Sequence, residues 1–445
     1  MNRVFRRGLV VALLVAILLT GYGFFAVDEF FHGQTWALEP YNAHLYRHGV
    51  LSPVVVKDRN GQILFDNSGA ENVYADRGLI RAGMLHALGD PDGNIGTGIL
   101  TCSQKDLVGY DWLTGVSRFS RSGATVRLNL DASLCAAAAG ALGSYKGTVG
   151  VYRVKTGELL CMVSSPNFDP LDPPVIEDDD PDWEGVYLNR FLSAAYPPGS
   201  IFKIVTLQAA LESVEGIEEK TFFCEGRCEI GGEVITCSGY HGTQTLSEAF
   251  AHSCNCAFAE IALAVGREKL QKTAERAGLT TAALLDGSKT AAGTVDVLQA
   301  SDADLAWAAI GQANDLVNPC AFLRYVGAIA NEGVAVDPAM IAYSSNKTLA
   351  KSAKERLMSA ETAGKIAAMM RSNVENAYGD WHFPGWEIGA KSGTAQLDDQ
   401  RSHSVFCGFT QNESDPVAFL VVVENAGAGQ GMALSVASAV LNAMR

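Results

Sequence analysis

The sequence predicts an α+β fold carried on one membrane-spanning helix, and three observations predict it. Apolar runs of strand length cluster in an early stretch (147–165) and a late one (386–424), while helical periodicity fills most of 200–375 between them. A sheet made from the early hairpin and three late strands, with helices packed on it, accounts for that order. The 445 residues and 48% hydrophobic content suffice for more than one buried core.

Taken in order, the chain opens with Arg3, Arg6 and Arg7, followed by an uncharged apolar stretch to Val27. About twenty helical residues span the roughly 30 Å core of a bilayer. A cleaved signal would have a shorter apolar region ending in a small-x-small site, whereas this one continues into "YGFFAV". Residues 1–27 therefore read as a short cytoplasmic tail and an anchor, and the positive-inside rule puts the chain after Val27 outside the cell membrane. Residues 28–124 read as a small, loop-rich, non-catalytic domain. Its clearest element is "SPVVVKDRNGQILFDN", where "RNG" turns one strand into the next.

From 125 onwards, "GATVRLNLDASLCAAAAGALG" predicts a strand and an alanine-rich helix starting near Asp131. "GTVGVYRVKTGELLCMVSS" predicts a hairpin turning at Lys155-Thr156-Gly157. The acidic "EDDDPDWEG" is a solvated loop. Three strands, "WEIGAKSGTAQ", "HSVFCGFT" and "PVAFLVVVEN", and a helix from about Met432 close the chain. With 34 Lys+Arg against 49 Asp+Glu, a net charge of −15 and no basic stripe, nucleic-acid binding is excluded.

Ten cysteines in an exported chain raise the question of disulfides. The dense group is Cys224, Cys228, Cys237 and His241, whose ligand types suit zinc but whose sequence fits an exposed hairpin as well. The preferred reading is no metal, with either a single Cys224–Cys237 bridge or free thiols. Cys135, Cys161, Cys254, Cys256 and Cys407 lie in apolar surroundings and read as small core residues.

Three short motifs carry the chemistry. "AAYPPGSIFK" places Lys203 three residues after Ser200, so that on a helix the amine reaches the hydroxyl. Ile201, Ile204, Leu207 and Leu211 form an apolar stripe that partly desolvates the amine and readies it to accept a proton. The competing reading of Ser200 is a helix cap. "HSCNCAFAEIAL" sets Ser253 and Asn255 at the junction of two helical segments, a hydroxyl to relay a proton and an amide to hold a substrate amide. "GAKSGTAQ" offers Lys391, Ser392, Gly393 and Thr394 on a strand, suited to an extended peptide ending in a carboxylate. Two decoys share these patterns: Ser344 with Lys347 in a polar loop, and Lys155-Thr156-Gly157 at the hairpin turn.

The order Ser-x-x-Lys, Ser-x-Asn, Lys-Ser/Thr-Gly is far more specific than its members, and here the chain resembles the penicillin-binding proteins and the serine β-lactamases. "NRFLSAAYPPGSIFK", "SCNCAFAEIA", "ANEGV" and "KSGTAQ" are similar to the transpeptidase domain of class B penicillin-binding proteins, over residues 125–445. More weakly, "KDRNGQIL" is similar to the start of that family's N-terminal domain. The resemblance implies an antiparallel sheet flanked by helices and acyl transfer on D-Ala-D-Ala stem peptides of peptidoglycan, without a cofactor. Ser200 would be the nucleophile, Lys203 its base and Ser253 the proton relay. Asn255 would hold the donor peptide, Lys391, Ser392 and Thr394 its carboxylate, and Gly393 would let it approach. β-Lactams would acylate Ser200. The stretch after the anchor is too short for a glycosyltransferase domain, which implies a separate glycosyltransferase among the partners. Elongation, division and sporulation all stay open. Ser392 stands where Thr is commoner, and Ser404-Val405 where an aromatic is usual. The alternatives are a β-lactamase-like hydrolase and a non-catalytic β-lactam-binding or divisome scaffold.

Overall fold

A computed structural model describes residues 2–37, 54–69, 71–102, 110–111, 115–116, 124–177, 180–345, 349, 351–396, 401–411, 414–427 and 431–445. The early hairpin is β1 (Gly147–Arg153) and β2 (Leu159–Ser165), and Lys155-Thr156-Gly157 forms its turn as expected. The late strands are β3 (Glu387–Gln396), β4 (Ser402–Gln411) and β5 (Val417–Val423). All five form one antiparallel sheet in the order β3-β4-β5-β1-β2, which is the sheet the sequence pattern implied.

Strand side chains alternate between faces, so β4 divides its contacts between two helix layers. The backbone N–H of Ala433 donates to Ser404 Oγ at 3.3 Å, which places the Gly431–Ala443 helix on one face together with Ala132–Leu142. On the other face, Gly389 leaves room for Met370 of the Ala360–Asn373 helix, and Gly150 for Leu323 of Pro319–Ala330. Asp131 caps the alanine-rich helix by accepting from the N–H groups of Ser133 and Leu134, both at 3.0 Å.

A second five-stranded sheet crosses residue 124. Its order is Ile341–Ser344, Ala124–Leu128, Val54–Lys57, Ile63–Asp66, Val73–Tyr74. The "RNG" turn forms as predicted, with Gly61 at φ +87° and Asp58 Oδ1 accepting from the N–H groups of Asn60 and Gln62. Ser344, read as part of a polar loop, instead ends a strand of this sheet, opposite Val126. Lys347 lies outside the described residues. At the N-terminus one helix, Asn2–Ala37, runs ten residues beyond Val27, and its 18-residue apolar window has a mean hydropathy of 2.5 and no burial.

Candidate active site

The site forms where the edge strand β3 meets two helix starts. Ser200 lies in a short 3-10 turn, Gly199–Phe202, that runs into the Lys203–Ser213 helix. No side-chain cap bond is made at either helix start, so the cap reading of Ser200 fails. The turn can lie against β3 because Gly199, at φ +56°, has no side chain: a Cβ there would stand 2.3 Å from the carbonyl oxygen of Thr394. Its N–H donates to Gly311 O at 2.9 Å. The preceding loop is anchored by Glu424, whose Oε1 accepts from Tyr196 OH at 2.7 Å and Arg190 Nε at 2.8 Å.

Lys203 is fully buried and its amine gathers the first two motifs. Nζ lies 3.1 Å from Ser200 Oγ, 3.1 Å from Ser253 Oγ, 2.7 Å from Asn255 Oδ1 and 2.5 Å from the Ser253 carbonyl oxygen. Burial lowers its pKa to about 8, against the smaller upward pull of Cys237, Cys254 and Cys256. A lysine in that range is neutral for a useful fraction of the time near neutral pH, as a general base requires.

Ser253 adopts φ +54°, a left-handed conformation that costs a non-glycine residue about 1 kcal/mol. The cap of the following helix, Asn255–Val265, is Cys254, whose Sγ accepts from Ala257 N–H at 3.4 Å. Ser253 is therefore not a helix cap, and its hydroxyl is left to the site. Asn255 Nδ2 donates to Thr236 O at 2.8 Å, so the amide is held from behind while its oxygen faces Lys203.

From β3, Lys391 Nζ reaches Ser253 Oγ at 3.0 Å and its neighbour's carbonyl, Ser392 O, also at 3.0 Å. It is fully buried, and burial, reinforced by the charge of Lys203, lowers its pKa well below the ordinary lysine value. One hydroxyl thus links two buried amines. Gly393 faces the Ser200 turn, where a Cβ would meet Pro198 O at 3.0 Å and Ile201. Ser392 and Thr394, on the alternate face of β3, are half-buried. Ser404 and Val405 are buried, opposite Thr394 and Gly393 in the register.

The structure brings Ser200, Lys203, Ser253, Asn255 and Lys391 together and sets Ser392, Gly393 and Thr394 along the same edge. Two groups were missed in the sequence. Tyr378 OH contacts Ser392 Oγ at 3.0 Å and accepts from Ser392 N–H at 3.0 Å, and Cys237 Sγ accepts from Asn255 N–H at 3.2 Å. Cys224 and Cys237 are not bridged to each other, which selects the thiol alternative over the Cys224–Cys237 bridge. Cys254 is more than the core filler expected, since its Sγ lies 3.8 Å from that of Cys237.

Comparison with known proteins agrees with this geometry. Residues 147–444 match the family model described as the penicillin binding protein transpeptidase domain. A peptidoglycan D,D-transpeptidase PbpA from Mycolicibacterium smegmatis is 30% identical over 314 residues, covering 64% of this chain and 63% of the relative. The chain thus spans somewhat less than two thirds of that relative's length. The D,D-transpeptidase domain of a peptidoglycan glycosyltransferase from Eggerthella lenta superposes with a TM-score of 0.75 at 26% identity, covering 88% of this chain and 98% of the other. A ceftriaxone acyl-enzyme of penicillin-binding protein A from M. tuberculosis superposes with a TM-score of 0.74 at 24% identity, with coverage of 88% and 98%. Motif order, the five-stranded sheet and the domain match converge on one assignment: this chain belongs to the penicillin-binding protein transpeptidase family, as a class B member.

Proposed function

We propose that the protein is a peptidoglycan D,D-transpeptidase working through a Ser200 acyl-enzyme. The observation that carries the reading is the buried Lys203 amine placed 3.1 Å from both the Ser200 and Ser253 hydroxyls. Neutral Lys203 takes the Ser200 proton as Oγ bonds to the carbonyl carbon of the penultimate D-Ala. The backbone N–H groups of Ser200 and Thr394 face the oxyanion that forms. As the C–N bond breaks, the proton passes through Ser253 to the departing D-Ala amine. The amine of a second stem peptide then attacks the ester, forms the cross-link and frees Ser200.

Asn255 orients the donor amide, while Lys391 with Ser392 and Thr394 receives the terminal carboxylate, and Gly393 admits the extended peptide beside β3. The PbpA relative named above is a peptidoglycan D,D-transpeptidase, which supports the same activity here. The acyl-enzyme of penicillin-binding protein A supports β-lactams as dead-end acyl donors. The reading extends to organisation: residues 1–27 anchor the chain, 28–124 form a non-catalytic part and 125–445 the transpeptidase, outside the membrane. A separate glycosyltransferase would supply the glycan strands that carry the stem peptides.

Labelling with a fluorescent penicillin tests the reading. Wild-type protein takes up label covalently, and Ser200→Ala takes up none while staying folded. Retained label in Ser200→Ala would move the nucleophile elsewhere, and rapid nitrocefin turnover by the wild type would favour the hydrolase alternative.

A further inference from the structure

Behind the Ser-x-Asn turn, three segments deliver Cys224, Cys237, His241 and Cys254 to one point, with their ligand atoms all within 4.8 Å of one another. We infer that these residues form a structural zinc site that holds Ser253 and Asn255 in place.

The geometry fits the ion. Tetrahedral zinc with bonds of about 2.3 Å to sulfur and about 2.0–2.1 Å to nitrogen sets its sulfurs about 3.8 Å apart and sulfur from nitrogen about 3.6 Å. Cys237 Sγ lies 3.8 Å from Cys254 Sγ and 3.6 Å from His241 Nδ1. A disulfide would need the sulfurs at about 2.05 Å.

The surroundings suit thiolates. Each sulfur accepts a backbone N–H: Cys224 from Gly226 at 3.4 Å, Cys237 from Asn255 at 3.2 Å and Cys254 from Ala257 at 3.4 Å. Such outer bonds orient metal ligands and offset their charge. Gly226, at φ +95°, makes the tight turn after Cys224, and its carbonyl accepts from Cys237 N–H at 2.9 Å, tying the first two ligands together. The His241 ring stacks on His252 at 5.0 Å with the planes 7° apart, which fixes its orientation. Binding releases the three thiol protons and leaves a site of net charge −1.

The effect on the active site comes from position. Cys254 is the central residue of the Ser-x-Asn motif, and Asn255 hangs by its N–H from Cys237 and by its amide from Thr236. The metal therefore clamps the turn in which Ser253 holds its left-handed conformation. Cys254 and Cys237 act as positioning residues, working through Ser253 and Asn255.

The test uses the full-length chain, reduced in detergent, equilibrated with zinc chloride and desalted. Wild type should retain about one zinc per chain, with zinc lowering the reactivity of three thiols and raising the melting temperature. Cys237→Ser and His241→Ala should retain less than a tenth of that metal, whereas Cys228→Ser, outside the four, should retain it all. Wild-type protein that takes up label from fluorescent penicillin yet binds no zinc would overturn the inference and leave the transpeptidase reading standing. Full metal retention in both Cys237→Ser and His241→Ala would overturn it too, as would a Cys237–Cys254 disulfide persisting after reduction and zinc treatment.

Discussion

At the scale of single residues the site turns on Lys203, because its amine is the contact shared by Ser200, Ser253 and Asn255. Lys203→Arg keeps the charge but cannot give up a proton. Acylation by penicillin should fall at least about a hundredfold, the usual scale for loss of a positioned base. Ser344→Ala, at the decoy, should leave labelling unchanged. The pH profile tests the same base. Lys203 has its pKa lowered to about 8, and it must be neutral to accept the Ser200 proton, so acylation should rise about tenfold per pH unit below that value and level off above it. Burial of the Lys203 amine, opposed by the smaller upward pull of Cys237, Cys254 and Cys256, sets where the break falls. A stopped-flow acylation rate that is flat from pH 6 to 9 would remove Lys203 from the role.

Among the elements, the decisive contact is the Ser200 turn against β3. Gly199→Ala would force a Cβ to within 2.3 Å of Thr394 O from a left-handed backbone, so turn and strand must separate. The expected result is a loss of acylation of at least tenfold together with a lower melting temperature, since strain of this kind costs on the order of 1–3 kcal/mol. Normal acylation in Gly199→Ala would show that the approach is unimportant. The same contact explains what was legible in the sequence. Ser200 with Lys203 and Ser253 with Asn255 are local spacings, and the strand bearing Lys391 to Thr394 shows its own apolar pattern, so each motif and its element could be read before the fold was known. Tyr378 could not, because only the packing of its π-helical turn brings it to Ser392. Cys254 is the buried core residue its local sequence implied, but the cluster around it was illegible for a related reason. Its partners Cys224, Cys237 and His241 are spread over other segments, and an apolar neighbourhood is all its local sequence displays.

For the whole molecule, the two sheets and the N-terminal apolar helix make different claims about which parts can be removed. The apolar window of the Asn2–Ala37 helix is unburied, so residues 1–27 lend nothing to the core. The stretch from Val54 onwards is another matter. Val54–Lys57 pairs in parallel with Ala124–Leu128, and Val54, Val56, Leu64 and Phe65 join one continuous core with Val126 and Leu128. Deleting residues 1–27 should therefore give a soluble protein that labels with penicillin at the wild-type rate. Deleting residues 1–123 would strip a neighbouring strand from Ala124–Leu128 and open its apolar face, an edge prone to self-association. That shorter form should aggregate, or melt well below the first, as read by size-exclusion chromatography and thermal denaturation. A monomeric 124–445 fragment with full stability would mean that the shared sheet is dispensable, whereas loss of labelling in a folded chain lacking 1–27 would give the N-terminal helix a part in the chemistry.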